Sequence, residues 1–235
     1  AVFGLAILPM LLTLGIFLFM AKESPKQPRP QNLVQYLRVL KEPDTWWFNL
    51  FYMITFGGFV GLASFLAIFF RDQYGLSRVM AGNFAALCVF AGSFVRPIGG
   101  FLADRFGGVK CLGILYGVVA GLMFFVSQLP LLPWATASLF LGMAALGMGN
   151  GVVFQIVPQR FQKEIGVVTG VVGAAGGLGG FFLPSILGFF KGLTGSYGTG
   201  FLLFGSAAFL CLGVLALVQR AWRQQRATSG LEISF

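Results

Sequence analysis

The apolar positions of this chain fall into seven long runs, near residues 2–20, 46–70, 79–103, 111–129, 134–157, 165–190 and 200–219. At about 20 residues each, every run is long enough to cross the hydrocarbon of a bilayer as a helix. Polar residues gather in short loops between the runs, so the pattern predicts an all-α, polytopic membrane protein. One longer polar stretch, from about Ala21 to Thr45, interrupts it. Its first part, KESPKQPRPQ, contains three prolines and cannot be helical throughout. In the second part, NLVQYLRVLKEP, the apolar residues Leu33, Val34, Leu37 and Leu40 stand with Arg38 and Lys41 alongside. That spacing predicts a short amphipathic helix on the membrane face. The chain thus divides into one crossing (1–21), a linker (22–45), a six-helix bundle (46–219) and a tail (220–235).

One apolar run has a pattern of its own. In GVVTGVVGAAGGLGGFFLP, residues 166–184, the glycines Gly166, Gly170, Gly173, Gly177 and Gly180 recur at alternating spacings of four and three. On a helix this spacing draws one stripe without side chains. Each glycine costs a helix interior roughly 0.8–1 kcal/mol against alanine, so the stripe gives up about 4–5 kcal/mol of propensity. Two readings account for a bare backbone: a closely packed neighbouring helix, or a substrate passing against it.

Composition sharpens the membrane reading. The chain is 57% hydrophobic and 10% charged, with a mean hydropathy of +0.86, far from soluble usage. The first run lacks a basic leader and a small-residue cleavage site, so it is not a secretory signal. Lys and Arg then orient the crossings. Twelve lie in the stretches 22–41, 105–110, 160–163 and 220–226, against three (Arg71, Arg78 and Lys191) in the alternate loops. The positive-inside rule makes the richer set cytoplasmic, which puts the C-terminus on the cytoplasmic side and the N-terminus on the outer side. The net charge of +9 follows from topology and attraction to anionic lipid, and calls for no nucleic-acid partner. A start at Ala1, directly in apolar sequence, is the expectation for the C-terminal part of a longer polypeptide with an odd number of crossings upstream. Cys88, Cys111 and Cys211 sit in apolar runs as small hydrophobes, and the chain has no histidine. No metal site or cofactor is expected.

The polar residues inside the runs are unevenly placed. The runs at 111–129 and 200–219 carry few and are expected to face lipid. Arg96 is the single charge deep inside a run, roughly 10 Å from the cytoplasmic end at about 1.5 Å per residue. A central arginine costs about 2.5–3.5 kcal/mol on insertion scales. It either snorkels to the headgroups or offers a planar fork of donors to an anion in a wet cavity. Tyr52 and Asn150 fall at a similar depth on two other runs, with Phe56 one turn beyond Tyr52 and Ser93 one turn before Arg96. An aromatic pair on a helix face is usually packing, and for Phe56 alone packing is the favoured reading. These runs contain no Asp or Glu, so an anion would be the group that neutralises Arg96.

At the end of the third run, GGFLADRFGGVK places Asp104 and Arg105 before Gly107 and Gly108, a tight charged turn between two helices. Starting at Gly100, this resembles the G-x-x-x-D-R-x-G-G loop of the major facilitator superfamily. The resemblance implies that Asp104 and Arg105 brace a gate, without a catalytic role. Within that superfamily, RPIGGFLADRFGG (96–108), GMGNGVVFQIVPQRF (147–161) and GVVGAAGGLGGFFLP (170–184) are similar to segments of the nitrate/nitrite porters. The likeness runs from about residue 46 to 219, as the second six-helix bundle, with residues 1–21 as the last helix of the first. It implies that Arg96 is one of two substrate-binding arginines, with Tyr52 and Phe56 lining the same pocket. Asn150, Gly173, Gly176 and Gly177 join this candidate site, and Gly166, Gly170 and Gly180 are assigned to helix packing. The implied partners are nitrate or nitrite, membrane lipid and an N-terminal bundle of the same polypeptide. The implied activity is anion transport by alternating access across the cytoplasmic (inner) membrane. Three rivals stand beside it: a proton-coupled major facilitator carrier for another solute or drug, a membrane enzyme, and a structural subunit. An enzyme would need a nucleophile, base or metal cluster that these residues do not offer.

Overall fold

Helix is the only regular structure among residues 2–22, 38–162 and 164–229, which the computed structural model describes. The chain forms two compact units, Ala1–Gln35 and Tyr36–Phe235. In the first, α1 (Val2–Met20) carries no charge and is apolar all round, the composition of a helix that meets no water. Pro9 lies inside it, and the Thr13 hydroxyl donates to the Pro9 carbonyl at 2.7 Å.

The second unit opens with a 3-10 turn, Arg38–Lys41, which buries Val39. The Thr45 hydroxyl donates to the Val39 carbonyl at 2.7 Å, and the Trp46 indole to the Leu40 carbonyl at 2.9 Å. Where an amphipathic helix was expected to end, residues 38–41 form a 3-10 turn with Val39 buried and Arg38, Leu40 and Lys41 exposed, its carbonyls bonded to side chains of the next helix. Residues 32–37 of that expectation lie outside the described residues.

Six rods long and apolar enough to cross a membrane follow: Pro43–Tyr74, Arg78–Phe106, Gly108–Ser127, Leu132–Arg160, Ile165–Thr194 and Gly198–Gln224. The first consists of α2 (Pro43–Tyr52), a π turn (Met53–Gly57) and α3 (Gly58–Tyr74). The second is broken into α4 (Arg78–Phe94) and α5 (Arg96–Phe106). Pro97 in the first turn of α5 supplies no N–H and clashes with the preceding turn, which interrupts the expected 79–103 helix at Val95. The rest are α6 (Gly108–Ser127), α7 (Leu132–Arg160), α8 (Ile165–Thr194) and α9 (Gly198–Ser229). Because α9 continues to Ser229, residues 220–229 of the expected tail are helical.

The centre of the bundle is α7, which packs on α4, α5 and α6, while α6 also lies along α9. Glycine permits the closest approach. A Cβ on Gly99 would stand 2.7 Å from the Met148 Cα, and Cβ atoms on Gly147 and Gly151 would meet the Gly92 and Arg96 carbonyls. The backbones of α4–α5 and α7 are therefore in direct contact, as small residues allow between membrane helices. A second such contact joins the π turn to α8, where a Cβ on Gly57 would stand 2.6 Å from the Gly179 Cα.

Two apolar layers fill the interior. One gathers Phe59, Leu66, Phe69 and Phe201 toward the loop holding Tyr197. There the Tyr197 hydroxyl donates to Asp72 at 3.0 Å, and Lys191 sits 4.7 Å from the Tyr197 ring centre. Burial first, then the hydrogen bond and charge of Asp72, push the Tyr197 hydroxyl up to about 12. The other layer holds Phe48, Phe51, Tyr116 and Val157 at the opposite end. Its rim is fastened by Asp44, which pairs with Arg160 and accepts from the Trp222 indole at 2.8 Å.

Candidate functional site

Arg96 begins α5 at the break left by Pro97. A helix interrupted inside a bundle exposes polar groups at a fixed height, the arrangement that discontinuous helices provide in transporters. Its guanidinium carbon stands 4.6 Å from the Phe59 ring centre and 5.6 Å from that of Phe56. These distances fall within the range of cation–π attraction, worth about 0.5–2 kcal/mol. The two rings belong to different apolar layers or their fringe, so Arg96 lies where the layers meet. Its Nε is buried without a hydrogen-bond partner among the described residues.

Tyr52 closes α2 immediately before the π turn. Its ring stacks on Phe56 with centroids 5.0 Å apart and planes 6° from parallel, and Phe154 meets it edge-on at 4.7 Å. The Phe51 carbonyl at the head of the π turn accepts the Tyr116 hydroxyl at 2.9 Å and the Thr55 hydroxyl at 3.3 Å. A π turn inserts an extra residue into the ladder, and these two hydroxyls hold the widened turn. Thr55 thereby has a structural bond.

Asn150 lies on α7, buried, and neither its Nδ2 nor its Oδ1 has a partner among the described residues. Leaving such a group unpaired costs about 1–3 kcal/mol, so buried polar atoms without partners single out a place where a ligand or water completes the bonding. Tyr52, Arg96 and Asn150 line one cavity of about 690 Å³, together with Gly100, Asp104, Phe154 and Gln155. The structure thus brings the sequence-derived residues of three helices together. Phe56 stands behind Tyr52.

The glycine stripe is distributed differently. A Cβ on Gly176 would stand 2.6 Å from the Tyr52 ring and 2.9 Å from that of Phe56, so this residue seats the aromatic pair. Gly180 packs against Val60, where a Cβ would stand at 2.9 Å. Gly166, Gly170, Gly173 and Gly177 have no atom within 4 Å of an added Cβ. Close packing within this unit therefore runs along Gly176, Gly179 and Gly180. Gly166 and Gly170 make no such contact among the described residues.

In the loop after α5, Gly107 has φ +90°, a conformation that favours glycine. Gly108 is pressed against Gln155 and Ile156, with an added Cβ 2.8 Å from Gln155 Oε1. The Gln155 amide donates to Asp104 at 2.7 Å, tying the loop to α7, while Arg105 lies 5.6 Å from the Phe106 ring centre. A carboxylate therefore does line the Arg96 cavity, contrary to the expectation from the runs. Asp104 falls beyond the apolar run but within the same helix. Eight residues from Arg96, or about 12 Å along a helix, it is not within salt-bridge distance of it.

Sequence reasoning missed Phe59, Phe154, Gln155 and Asn49, whose buried Oδ1 also lacks a partner. Helical spacing held the signal. Phe154 follows Asn150 by four, Phe59 follows Phe56 by three, and Asn49 precedes Tyr52 by three.

Compared with known proteins, residues 1–184 match the family model described as Major Facilitator Superfamily. A probable nitrate transporter NarT of Staphylococcus haemolyticus is 34% identical over 204 residues, covering 85% of this chain and 52% of that protein. The nitrite extrusion protein of Bacillus subtilis is 35% identical, covering 83% of this chain and 49% of its own length. A probable nitrate/nitrite antiporter NarK1 of Thermus thermophilus is 32% identical over the same shares, 83% and 49%. The chain spans about half the length of the curated relatives it matches.

Proposed function

The chain belongs to the major facilitator superfamily, and from that premise we propose that it forms half of a nitrate or nitrite transporter. The observation that carries this reading is Arg96, buried at Nε without a partner, in one cavity with the unpaired amide of Asn150. A planar oxyanion fits these groups. The guanidinium fork gives it two parallel charge-assisted hydrogen bonds, and the amide of Asn150 supplies a further donor. In a site drier than water the pairing is screened less. The phenylalanines on the guanidinium hold the cation while no anion is bound.

The anion would be enclosed only when a second bundle of the same polypeptide faces this one. A volume of about 690 Å³ is many times that of a four-atom anion, so this bundle offers one wall. The second wall would bring the other arginine, and the two bundles would rock about the bound anion to give alternating access. Asp104, held by Gln155, would latch the loop between α5 and α6 in one of those states. The basic ends of the helices would face the cytoplasm, in the inner membrane.

The size of the cavity and the carboxylate of Asp104 on its wall favour one other reading, a proton-coupled carrier for a larger solute. Flux into proteoliposomes made with the complete protein separates the two. An anion carrier moves nitrate and nitrite and is silenced by Arg96→Ala, whereas a proton-coupled carrier for a larger solute moves neither anion. Nitrate flux that survives Arg96→Ala would refute the reading.

A further inference from the structure

Two cavities outside the Arg96 site meet at the basic end of the bundle. One, of about 280 Å³, runs between α5 and α6 and is walled by Gly99, Leu102, Phe106, Cys111 and Ile114, with Lys110 at one end. Gly99 creates it: by letting α5 rest on the backbone of Met148, it leaves a slot between the side chains of Leu102 and Phe106 and those of Cys111 and Ile114. Apart from Lys110 the slot is apolar, and Ile114 and Phe106 on its walls are more than half exposed. The other cavity, of about 220 Å³, is lined by Gly107, Lys110, Gln219, Trp222 and Arg223, and shares Phe106 and Lys110 with the first. The pair forms one continuous path from an apolar slot to a polar, cationic mouth.

The charges at that mouth are of one sign. Neither Lys110 nor Arg223 has an acidic group within salt-bridge distance among the described residues. Arg105, over the Phe106 ring, adds a third cation. Two carboxylates at this end of the bundle are already engaged: Asp44 by Arg160 and the Trp222 indole, Asp104 by Gln155. Cations left without counterions beside an apolar slot complement a molecule with an anionic head and a hydrocarbon tail. A basic pocket between helices at the cytoplasmic surface is where anionic headgroups bind, and a buried indole edge such as Trp222 suits that interface.

We propose that Lys110 and Arg223 bind the phosphate of an anionic phospholipid whose acyl chain lies in the slot between Leu102, Phe106, Cys111 and Ile114. The site is separate from the Arg96 cavity and does not depend on the identity of the transported solute. It would fasten the junction of α5 and α6, just beyond Asp104 and Arg105, to α9.

The test uses the complete protein in phosphatidylcholine nanodiscs carrying a graded small fraction of phosphatidylglycerol. Lipid retained after washing is counted by mass spectrometry for wild type, for Lys110→Ala/Arg223→Ala, and for the charge-preserving Lys110→Arg/Arg223→Lys. At about 1 kcal/mol per cation near an anionic surface, the double alanine variant should hold phosphatidylglycerol about thirtyfold more weakly, and the charge-preserving pair should retain it. Both positions are exposed, and melting in pure phosphatidylcholine verifies that the variants fold. Filling the slot with Cys111→Phe should also displace the lipid, with the cations intact. Equal retention by wild type and the double alanine variant would overturn the proposal. So would stabilisation by free glycerol phosphate equal to that by a short-chain phosphatidylglycerol, which would mark a site for phosphate without a lipid tail.

Discussion

Gly176→Ala tests how the aromatic wall of the site is seated. The added Cβ would stand 2.6 and 2.7 Å from two carbons of the Tyr52 ring and 2.9 Å from Phe56, where ordinary contact begins near 3.4 Å. The Tyr52 ring must therefore withdraw by about 0.8 Å, the difference between 3.4 and 2.6 Å. It has little room, because Phe56 is stacked on one side and Phe154 abuts it edge-on. Overpacking of this kind costs about 1–3 kcal/mol, against which alanine recovers at most about 1 kcal/mol of helix propensity. Displacement of the ring against which Phe56 and Arg96 are arranged should weaken nitrate binding about five- to 150-fold, if the full packing cost appears in affinity. Gly188, on the same helix with nothing within 4 Å of an added Cβ, provides the control. Gly188→Ala should leave affinity unchanged and raise the melting temperature slightly. The assay is isothermal titration of the purified complete protein with nitrate, beside thermal melting in the same detergent. Wild-type affinity and stability in Gly176→Ala would refute the reasoning.

Two further expectations concern the ends of the bundle. Asp44→Ala removes the carboxylate that pairs with Arg160 and accepts from the Trp222 indole; it should lower stability by about 1–3 kcal/mol, read by thermal melting, while nitrate affinity is preserved. Tyr197, with its hydroxyl raised to about 12, keeps its proton in the folded protein above the pH at which an unfolded tyrosine loses it. Its contribution is therefore complete below about pH 10 and disappears as pH rises through 12. Melting temperatures should fall between those values, and fall less in Tyr197→Phe; an equal fall in both would refute the assignment.

Much of the fold was legible because a membrane helix must satisfy its backbone internally and be apolar for about 20 residues. That made six rods visible as runs. What the runs could not show was where a rod breaks. Pro97 interrupts the helix beside Arg96, and the π turn after Tyr52 has no equally plain residue signal. The site was legible as far as polarity inside apolar runs could reveal it, which found Arg96, Tyr52 and Asn150. Asp104 was read only as part of the gating loop because its run had already ended, although its helix had not. The glycine stripe was read on spacing alone. Spacing identifies a bare face but not the direction it faces, and only the neighbours of Gly176, Gly179 and Gly180 revealed which face of α8 meets the π turn. The closer contact between α4–α5 and α7 rests on Gly92, Gly99, Gly147 and Gly151, glycines spread over two runs whose partnership no single run displays.

The central claim is that Arg96 binds the transported anion through its planar fork. The most direct measurement is the nitrate affinity of the purified complete protein, wild type against Arg96→Lys. Lysine keeps the charge but cannot reproduce two directed, parallel hydrogen bonds or the same contact with Phe56 and Phe59. The account expects most of the affinity to be lost in the lysine variant, with Arg96→Ala losing it entirely. Equal affinities for wild type and Arg96→Lys would contradict it, and would make Arg96 a cation whose position, rather than its shape, matters.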